Sequence, residues 1–305
     1  MSAPEVTRGR TQAQVPTRIY GMLAAGMIMF AFAPILVRSA GDADPLAFAA
    51  VRTVTAALVL LPFWWFRPSV VTSFFNFRDN LIAAGAGVML GLHFIFWILA
   101  IQNTTIASAS VLVTIHPVIL ILIEAGFFKR VFPPLVWIGV LVAFSGSVLL
   151  GYSDATSVTA FEHALLGDFY AVIAAVLFAL YFLVSQKLRQ KSDWINYVVR
   201  VYGFTGLTCL LAAIVAGSSF PMSPAVWLAG IGLALGPQII GHGSMNYAVK
   251  YVAPTMLSML ILTEPVFATV LALILFSEMP PLATFPAMAI IIAGITMAWL
   301  TKKGK

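Results

Sequence analysis

The sequence predicts an all-α integral membrane protein, in which ten transmembrane helices form two inverted five-helix repeats and both termini are cytoplasmic. Three observations predict this class. The 305 residues are 61% hydrophobic and only 9% charged, which is more apolar material than a soluble domain of this size usually carries. Ten apolar runs reach the roughly 20 residues that cross a bilayer. The second half of the chain also repeats the first half at a constant offset.

The ten spans are separated by short segments that carry Pro, Asp, Asn, Ser or basic residues, so no separate soluble domain is expected. Residues 1–18 are polar and have no apolar core, and an uncleaved first helix is therefore expected instead of a cleaved signal peptide. We place the spans at 19–38, 46–66, 80–101, 106–128, 134–152, 166–187, 194–217, 224–249, 252–276 and 281–301.

The distribution of Lys and Arg predicts the orientation of the chain. If the N-terminus is cytoplasmic, the inner segments hold 14 of the 17 basic residues, and the outer segments hold acidic residues such as Asp42 and Glu162. Cytoplasmic segments of membrane proteins are enriched in Lys and Arg. We therefore expect a multi-pass protein of the plasma or inner membrane with both termini in the cytoplasm.

An internal repeat appears when the chain is compared with itself at an offset of 148 residues. The alignment at this offset needs no gap. It pairs charged residues within the helices and residues such as proline and glycine that interrupt or end them. An odd number of spans in each half forces the second half to enter the bilayer from the opposite side, as in secondary transporters. The predicted repeats are 19–152 and 166–301. The matched pairs are Arg52 and Arg200, Ala100 and Ala248, Pro117 and Pro265, Phe128 and Phe276, Pro133 and Pro281, and Gly146 and Gly294.

Several segments resemble the drug/metabolite transporter superfamily, and specifically its ten-helix EamA-type members. The segments are FAFAPILVR at 30–38, FAAVR at 48–52, YVVR at 197–200, and EPVFATVLALILFSEMPP from residue 264 with GITMAW after it. The resemblance covers about residues 19–301. It implies a protein that exports or exchanges small metabolites, such as amino acids, nucleosides or amphipathic drugs, without ATP. We therefore expect a secondary active transporter, in particular an exporter, that works by alternating access, and proton coupling is a prediction that depends on Glu264.

The strongest candidate site lies at two helix-breaking motifs that the repeat pairs, TIHPVI and LTEPVF. Glu264 lies near the middle of the ninth span, and His116 is its partner in the fourth. A proline directly follows each of these two residues. Because proline has no N–H, the carbonyl four residues earlier, that of Val113 or Ile261, loses its helical donor. Such a carboxylate, imidazole and pair of bare carbonyls suit an ammonium group or an exchanged proton. In the alternative interpretation Glu264 is protonated and bonded to a neighbour, and the prolines only kink the helices.

The third and eighth spans add polar side chains to this predicted cavity. Gly236 and Pro237 are the best candidates for a discontinuous helix, although glycine spacing such as Gly87-x-x-x-Gly91 equally allows close helix packing. The expected cavity residues from these spans are His93, Trp97, Gln238, His242, Asn246 and Tyr247.

Three further charged residues lie within the spans. Arg52 and Arg200 are candidates for gates or anion contacts, but an arginine near a helix end can also extend its head group to the interface. Glu124 lies near the cytoplasmic end of the fourth span and is expected to pair with Lys129 or Arg130.

Other classes of function find little support in the sequence. The histidines lie on different spans and lack the spacing of a metal site, and no nucleotide-binding loop or hydrolase motif is present. We therefore expect no metal, no cofactor, no nucleic-acid partner and no enzymatic activity. Two alternatives to a metabolite exporter stay open, a flippase for lipids or lipid-linked precursors and a non-transporting membrane scaffold or sensor. The expected partners are a small-molecule substrate, protons and the lipid bilayer, and the protein is expected to be a monomer or a homodimer.

Overall fold

A computed structural model describes residues 16–41, 43–66, 76–104, 106–155, 163–220, 223–264, 266–267, 270–271, 274, 282 and 284–300. Several sequence predictions fall outside these residues, namely the helix break at Pro265, the repeat-matched Phe276 and Pro281, much of the ninth span after residue 267, and most of the polar N-terminal segment 1–18. The described residues are predominantly helical and include no β-strand.

The helices follow the predicted spans closely. In chain order they are α1 (Thr17–Ser39), α2 (Pro45–Trp65), α3 (Phe77–Asn103), α4 (Ile106–Val113), α5 (His116–Gly126), α6 (Pro134–Ala155), α7 (Ala164–Arg189), α8 (Trp194–Val215), α9 (Pro224–Leu233), a π-helix (Ala234–His242), α10 (Gly243–Ala248), α11 (Pro254–Ile261) and α12 (Thr284–Leu300). Among the described residues, seven helical stretches are long and apolar enough to cross a membrane, and Pro134–Leu149 and Phe285–Leu300 form shorter apolar helices. This is the helical composition of a multi-pass membrane protein.

Side-chain caps begin several of these helices. The Asp44 carboxylate accepts hydrogen bonds from the amides of Leu46 and Ala47 at the start of α2, and Asp193 accepts from the amide of Asn196 at the start of α8. Such caps satisfy backbone amides that have no partner within the helix. They therefore help to determine where α2 and α8 begin.

The fourth span is broken in the middle, and α11 ends at a matching position. The break between α4 and α5 lies at residues 114–115, and the turn after α11 lies at residues 262–263. These positions, and the bounds of α4 and α11, differ by the 148 residues of the sequence repeat. The two segments that carry His116 and Glu264 therefore have the same local form.

Small residues allow the helices to approach closely. A Cβ atom at Gly87 of α3 would lie 2.4 Å from the Cβ of Phe204 of α8, and one at Gly294 of α12 would lie 2.3 Å from the amide nitrogen of Ala143 of α6. Such contacts leave no room for a side chain, as is common where membrane helices cross. The packing interpretation of the glycines is thus correct for Gly87 and for Gly91, which also packs against α8.

The prediction of a discontinuous helix at Gly236 and Pro237 is wrong. The chain continues through these residues as a π-helix, which joins α9 to α10. A π-helix bonds each amide to a carbonyl one residue farther back than an α-helix does, so it can absorb a proline without ending. Its irregular backbone is stabilised by side chains of α8, because the Tyr202 hydroxyl donates to the Gln238 carbonyl and the Trp194 indole donates to the Gly243 carbonyl.

Candidate functional site

A small cavity of about 50 Å³ lies among the middle parts of the helices. By volume it can hold a few water molecules, whereas pockets that enclose a metabolite usually measure hundreds of Å³. We predicted a lining from the third, fourth, eighth and ninth spans, and the structure adds α1, α2 and α7 to them. The lining residues are Phe30, Ala33, Arg52, His93, Phe94, Trp97, Val113, His116, Phe178, His242, Ile261 and Glu264.

Arg52 is the cation of this cavity. Its side chain is 2% exposed, so the alternative in which it reaches the membrane interface does not apply. Its Nε donates to Gln238 Oε1 at 3.2 Å, and its guanidinium carbon lies 3.7 Å from the centroid of the Phe94 ring. One terminal nitrogen, Nη1, is buried and has no hydrogen-bond partner among the residues that the structure describes. A buried guanidinium with an unused donor can bind an anionic group.

Three histidines surround the ring of Phe178. The centroids of the His93, His116 and His242 rings lie 5.3, 4.7 and 5.8 Å from the Phe178 centroid, and Phe30 contacts His242 edge to face at 4.8 Å. Rings at these distances hold one another in defined orientations. The histidines predicted from three different spans therefore converge at one site.

Two of these histidines are held by backbone carbonyls. His93 Nδ1 lies 2.9 Å from the carbonyl oxygen of Ala174, and His116 Nδ1 lies 2.8 Å from that of Val113. The expectation that the Val113 carbonyl is bare is therefore wrong. Pro117 does deprive it of a helical amide, but the imidazole of the preceding residue takes the place of that amide.

Glu264 lies in the lining of the cavity beside Ile261 and is partly exposed. Within the described part of the chain no hydrogen bond or ion pair to its carboxylate is found, which differs from the interpretation of a protonated group bonded to a neighbour. The described residues also contain no group of His, Cys, Asp and Glu that could hold a metal ion. A carboxylate and a guanidinium therefore line one cavity, and each has hydrogen-bonding capacity to spare.

The remaining candidates from the eighth span lie outside the cavity lining. Gln238 accepts a hydrogen bond from Arg52. Asn246 accepts from the Tyr181 hydroxyl at 2.7 Å, and the Tyr247 hydroxyl accepts from Arg18. Asn246 and Tyr247 follow His242 by four and five residues, so they lie about one helical turn farther along the axis than the cavity residue. Only His242 of this group lines the cavity.

A layer of hydrogen bonds lies between the cavity and the predicted cytoplasmic end. On α7, Tyr181 and Ser185 follow the cavity residue Phe178, and Ser185 bonds the Tyr197 hydroxyl of α8 at 2.5 Å. On α5, Glu124 follows His116 by two turns and pairs with Arg130 at 2.8 Å, which confirms the predicted pairing. Its second oxygen accepts from Thr255 of α11 at 3.0 Å. These contacts join four helices on that side of the cavity.

Arg200 occupies a different environment from its repeat partner Arg52. It is partly exposed, donates to Asn80 Oδ1 at 3.2 Å and to the backbone of Asn196, and lies over the Trp64 ring. It is not part of the central cavity. The two matched arginines therefore make different contacts in the two halves.

Sequence reasoning missed the aromatic wall of the site. Phe30, Phe94 and Phe178 line the cavity, but they are three of 23 phenylalanines in a chain where apolar residues are expected everywhere. Phe94 has a weak signal in the sequence, because it adjoins His93. Phe178 lies in a span without another cavity residue, so nothing beside it in the sequence marks it. Only the packing of the helices distinguishes them from residues that face lipid.

Comparisons with known proteins agree with this architecture. The model of the EamA-like transporter family matches residues 17–152 and 165–300. The uncharacterized transporter YxxF of Bacillus subtilis is 21% identical over 84% of this chain and 81% of its own length. The aromatic amino acid exporter YddG of Ancylobacter novellus is 25% identical over 71% of this chain and 74% of its own length. A protein of known crystal structure shares the fold with a TM-score of 0.77 at 20% identity, covering 94% of this chain and 98% of that one.

Proposed function

The chain belongs to the EamA-like transporter family, and from this premise we propose that it is a secondary active transporter that exports a small metabolite through the central cavity. The observation that carries the proposal is the buried Arg52, whose Nη1 has no partner among the described residues and which lines the same cavity as Glu264. Ionisable groups within a membrane bundle usually mark a substrate or ion pathway.

The chemistry of the cavity favours a substrate with a carboxylate and an aromatic body. Arg52 offers a charged donor to the carboxylate, and Phe94, Trp97 and Phe178 offer flat apolar surfaces to the body. The relative from Ancylobacter novellus is named an aromatic amino acid exporter. Aromatic amino acids are therefore the first substrates to test, ahead of nucleosides and amphipathic drugs.

The size of the cavity and the layer of contacts beside it support transport by alternating access. A cavity of about 50 Å³ must widen before an amino acid fits, because such ligands fill pockets of about 300 Å³ or more. The layer that joins α5, α7, α8 and α11 would have to separate for substrate to enter from the predicted cytoplasmic side. We propose that the two halves are inverted repeats and that both termini are cytoplasmic. In that arrangement the inward-open and outward-open states are related by the symmetry of the repeats.

Uptake into proteoliposomes tests the substrate and the role of Arg52. We expect wild type to transport L-phenylalanine and to discriminate against phenethylamine, which lacks the carboxylate. A charge-assisted hydrogen bond contributes about 1.5–3 kcal/mol. Arg52→Gln should therefore raise the substrate concentration that gives half-maximal uptake by about 10-fold or more. Arg38→Gln is the matched control, since Arg38 is exposed at the end of α1. If Arg52→Gln transports phenylalanine as wild type does, Arg52 is not the carboxylate anchor.

Proton coupling is assigned to Glu264, because its carboxylate lines the cavity and has no partner among the described residues. We expect Glu264→Gln to abolish accumulation driven by a pH gradient and to keep exchange of labelled for unlabelled substrate, at higher substrate concentrations than wild type needs. A glutamine has nearly the shape of the carboxylic acid but cannot release a proton. Full pH-driven accumulation by Glu264→Gln would end the proposal of coupling through this residue.

A further inference from the structure

The break in the fourth span determines which nitrogen of His116 carries hydrogen. Pro117 has no N–H, so the Val113 carbonyl lacks its helical donor, and His116 Nδ1 lies 2.8 Å from that oxygen. A carbonyl can only accept, and the ring nitrogen must therefore donate. In the neutral imidazole, Nε2 is then left with a lone pair and without hydrogen.

This lone pair is available in the cavity. His116 is 3% exposed and lines the cavity, and its Nε2 is buried with no hydrogen-bond partner in the described part of the chain. Phe178 packs edge to face on the ring with a centroid distance of 4.7 Å, which limits rotation of the imidazole. A buried acceptor with nothing to accept from is costly, so the site favours a ligand that supplies a donor.

A second acceptor lines the same cavity. The Glu264 carboxylate belongs to the lining together with His116, and within the described part of the chain no hydrogen bond or ion pair to it is found. An ionised carboxylate only accepts, and so does Nε2 in this tautomer of the imidazole. A donor with several hydrogens could bond both groups.

We propose that His116 Nε2 and the Glu264 carboxylate form a subsite for a primary ammonium group of the substrate. An ammonium has three donors and no acceptor, which suits two acceptors and excludes a carboxylate or an ether. Arg52 lines another part of the same cavity and binds the opposite charge of the ligand. This inference rests on the proposed function, and it makes His116 one of the residues that distinguish amino acids from acids that lack the amine.

Two substitutions separate the two nitrogens of the ring. In His116→Asn the side-chain amide can occupy the position of Nδ1 and donate to Val113, but nothing replaces Nε2. In His116→Gln the amide oxygen can reach the position of Nε2, and the bond to Val113 is lost. A residue that only caps the broken helix would tolerate asparagine, whereas a residue that accepts from the ligand would tolerate glutamine.

Ligand-dependent thermal stabilisation of the purified full-length protein tests the subsite without requiring transport. The probes are L-phenylalanine and 3-phenylpropionate, which differ only in the amine. We expect wild type and His116→Gln to prefer phenylalanine by about 10-fold or more. His116→Asn should lose about fivefold or more of that preference but not all of it, because the Glu264 carboxylate still accepts from the amine, and its affinity for 3-phenylpropionate should be unchanged.

The contrary results are equally clear. A full preference for phenylalanine in His116→Asn, or its loss in His116→Gln alone, would overturn the subsite and leave His116 as a helix cap. Equal binding of both probes by wild type, or binding of neither, would overturn it as well. Failure of the proposed function would instead appear as binding without any uptake into proteoliposomes.

Discussion

Replacing Arg130 with methionine should destabilise the protein because it leaves the carboxylate of Glu124 buried without its cation. Glu124 is fully buried, whereas the Arg130 side chain keeps 40% of its surface exposed. The pair is also hydrogen-bonded at both ends, since Arg130 donates to Gln186 and Glu124 accepts from Thr255. Arg130→Met therefore changes the protonation and solvation of Glu124 more than it changes the packing around residue 130.

The size of the effect follows from the burial of the two partners. Removing one member of a fully buried pair costs about 3–5 kcal/mol. Water reaches this pair from the Arg130 side, so we expect about 2–3 kcal/mol for Arg130→Met. Glu124→Gln keeps an oxygen for Arg130 and another polar group for Thr255, and its cost should be near the roughly 1 kcal/mol of a neutral hydrogen bond.

Thermal unfolding in detergent, followed by intrinsic fluorescence, measures these differences. At about 2–4 °C per kcal/mol, Arg130→Met should lower the Tm by about 5–10 °C, and Glu124→Gln by about 2–4 °C. The double variant should be more stable than Arg130→Met alone, because the buried charge is then absent. If the double variant is as unstable as the sum of the single variants, the destabilisation does not come from an unpaired Glu124.

Two further predictions concern the helix contacts and the broken fourth span. Gly294→Ala should destabilise by about 1–3 kcal/mol, since its new methyl would meet the backbone of Ala143, whereas Gly85→Ala has open space within α3 and should stabilise by up to about 1 kcal/mol. Shifts of the same sign in thermal unfolding would contradict this packing. Pro117→Ala restores an amide that competes for the Val113 carbonyl, and the preference for L-phenylalanine over 3-phenylpropionate should then fall several-fold in the binding assay. An unchanged preference would show that the proline does not control the histidine.

Much of the fold could be predicted because the bilayer imposes it. A chain in hydrocarbon must satisfy its backbone within each span, so the apolar runs had to become helices, and their observed bounds lie close to the predicted ones. The offset of 148 residues also anticipated the matching ends of α4 and α11. The π-helix was not predictable, because the sequence shows that Pro237 disturbs the hydrogen bonds but not how the chain accommodates it.

The candidate site was predictable only in part. The sequence singled out His93, His116, His242 and Glu264 because polar groups are conspicuous in apolar helices, and all four line the cavity. It gave no reason to prefer a buried position for Arg52 over one at the interface. The partner of the Val113 carbonyl was equally hidden, since a side-chain rotamer decides it.

The sequence by itself therefore determined that this is a polytopic membrane protein, which of the described segments are helical, and that the fourth span is broken at TIHPVI. These properties depend on apolar length, proline and glycine, which act locally along the chain. The tertiary structure alone decided that Arg52 shares a cavity with three histidines, while its repeat partner Arg200 does not. The rotation of each helix about its axis selects the side chains that face the centre, and that rotation is set by packing against neighbouring helices.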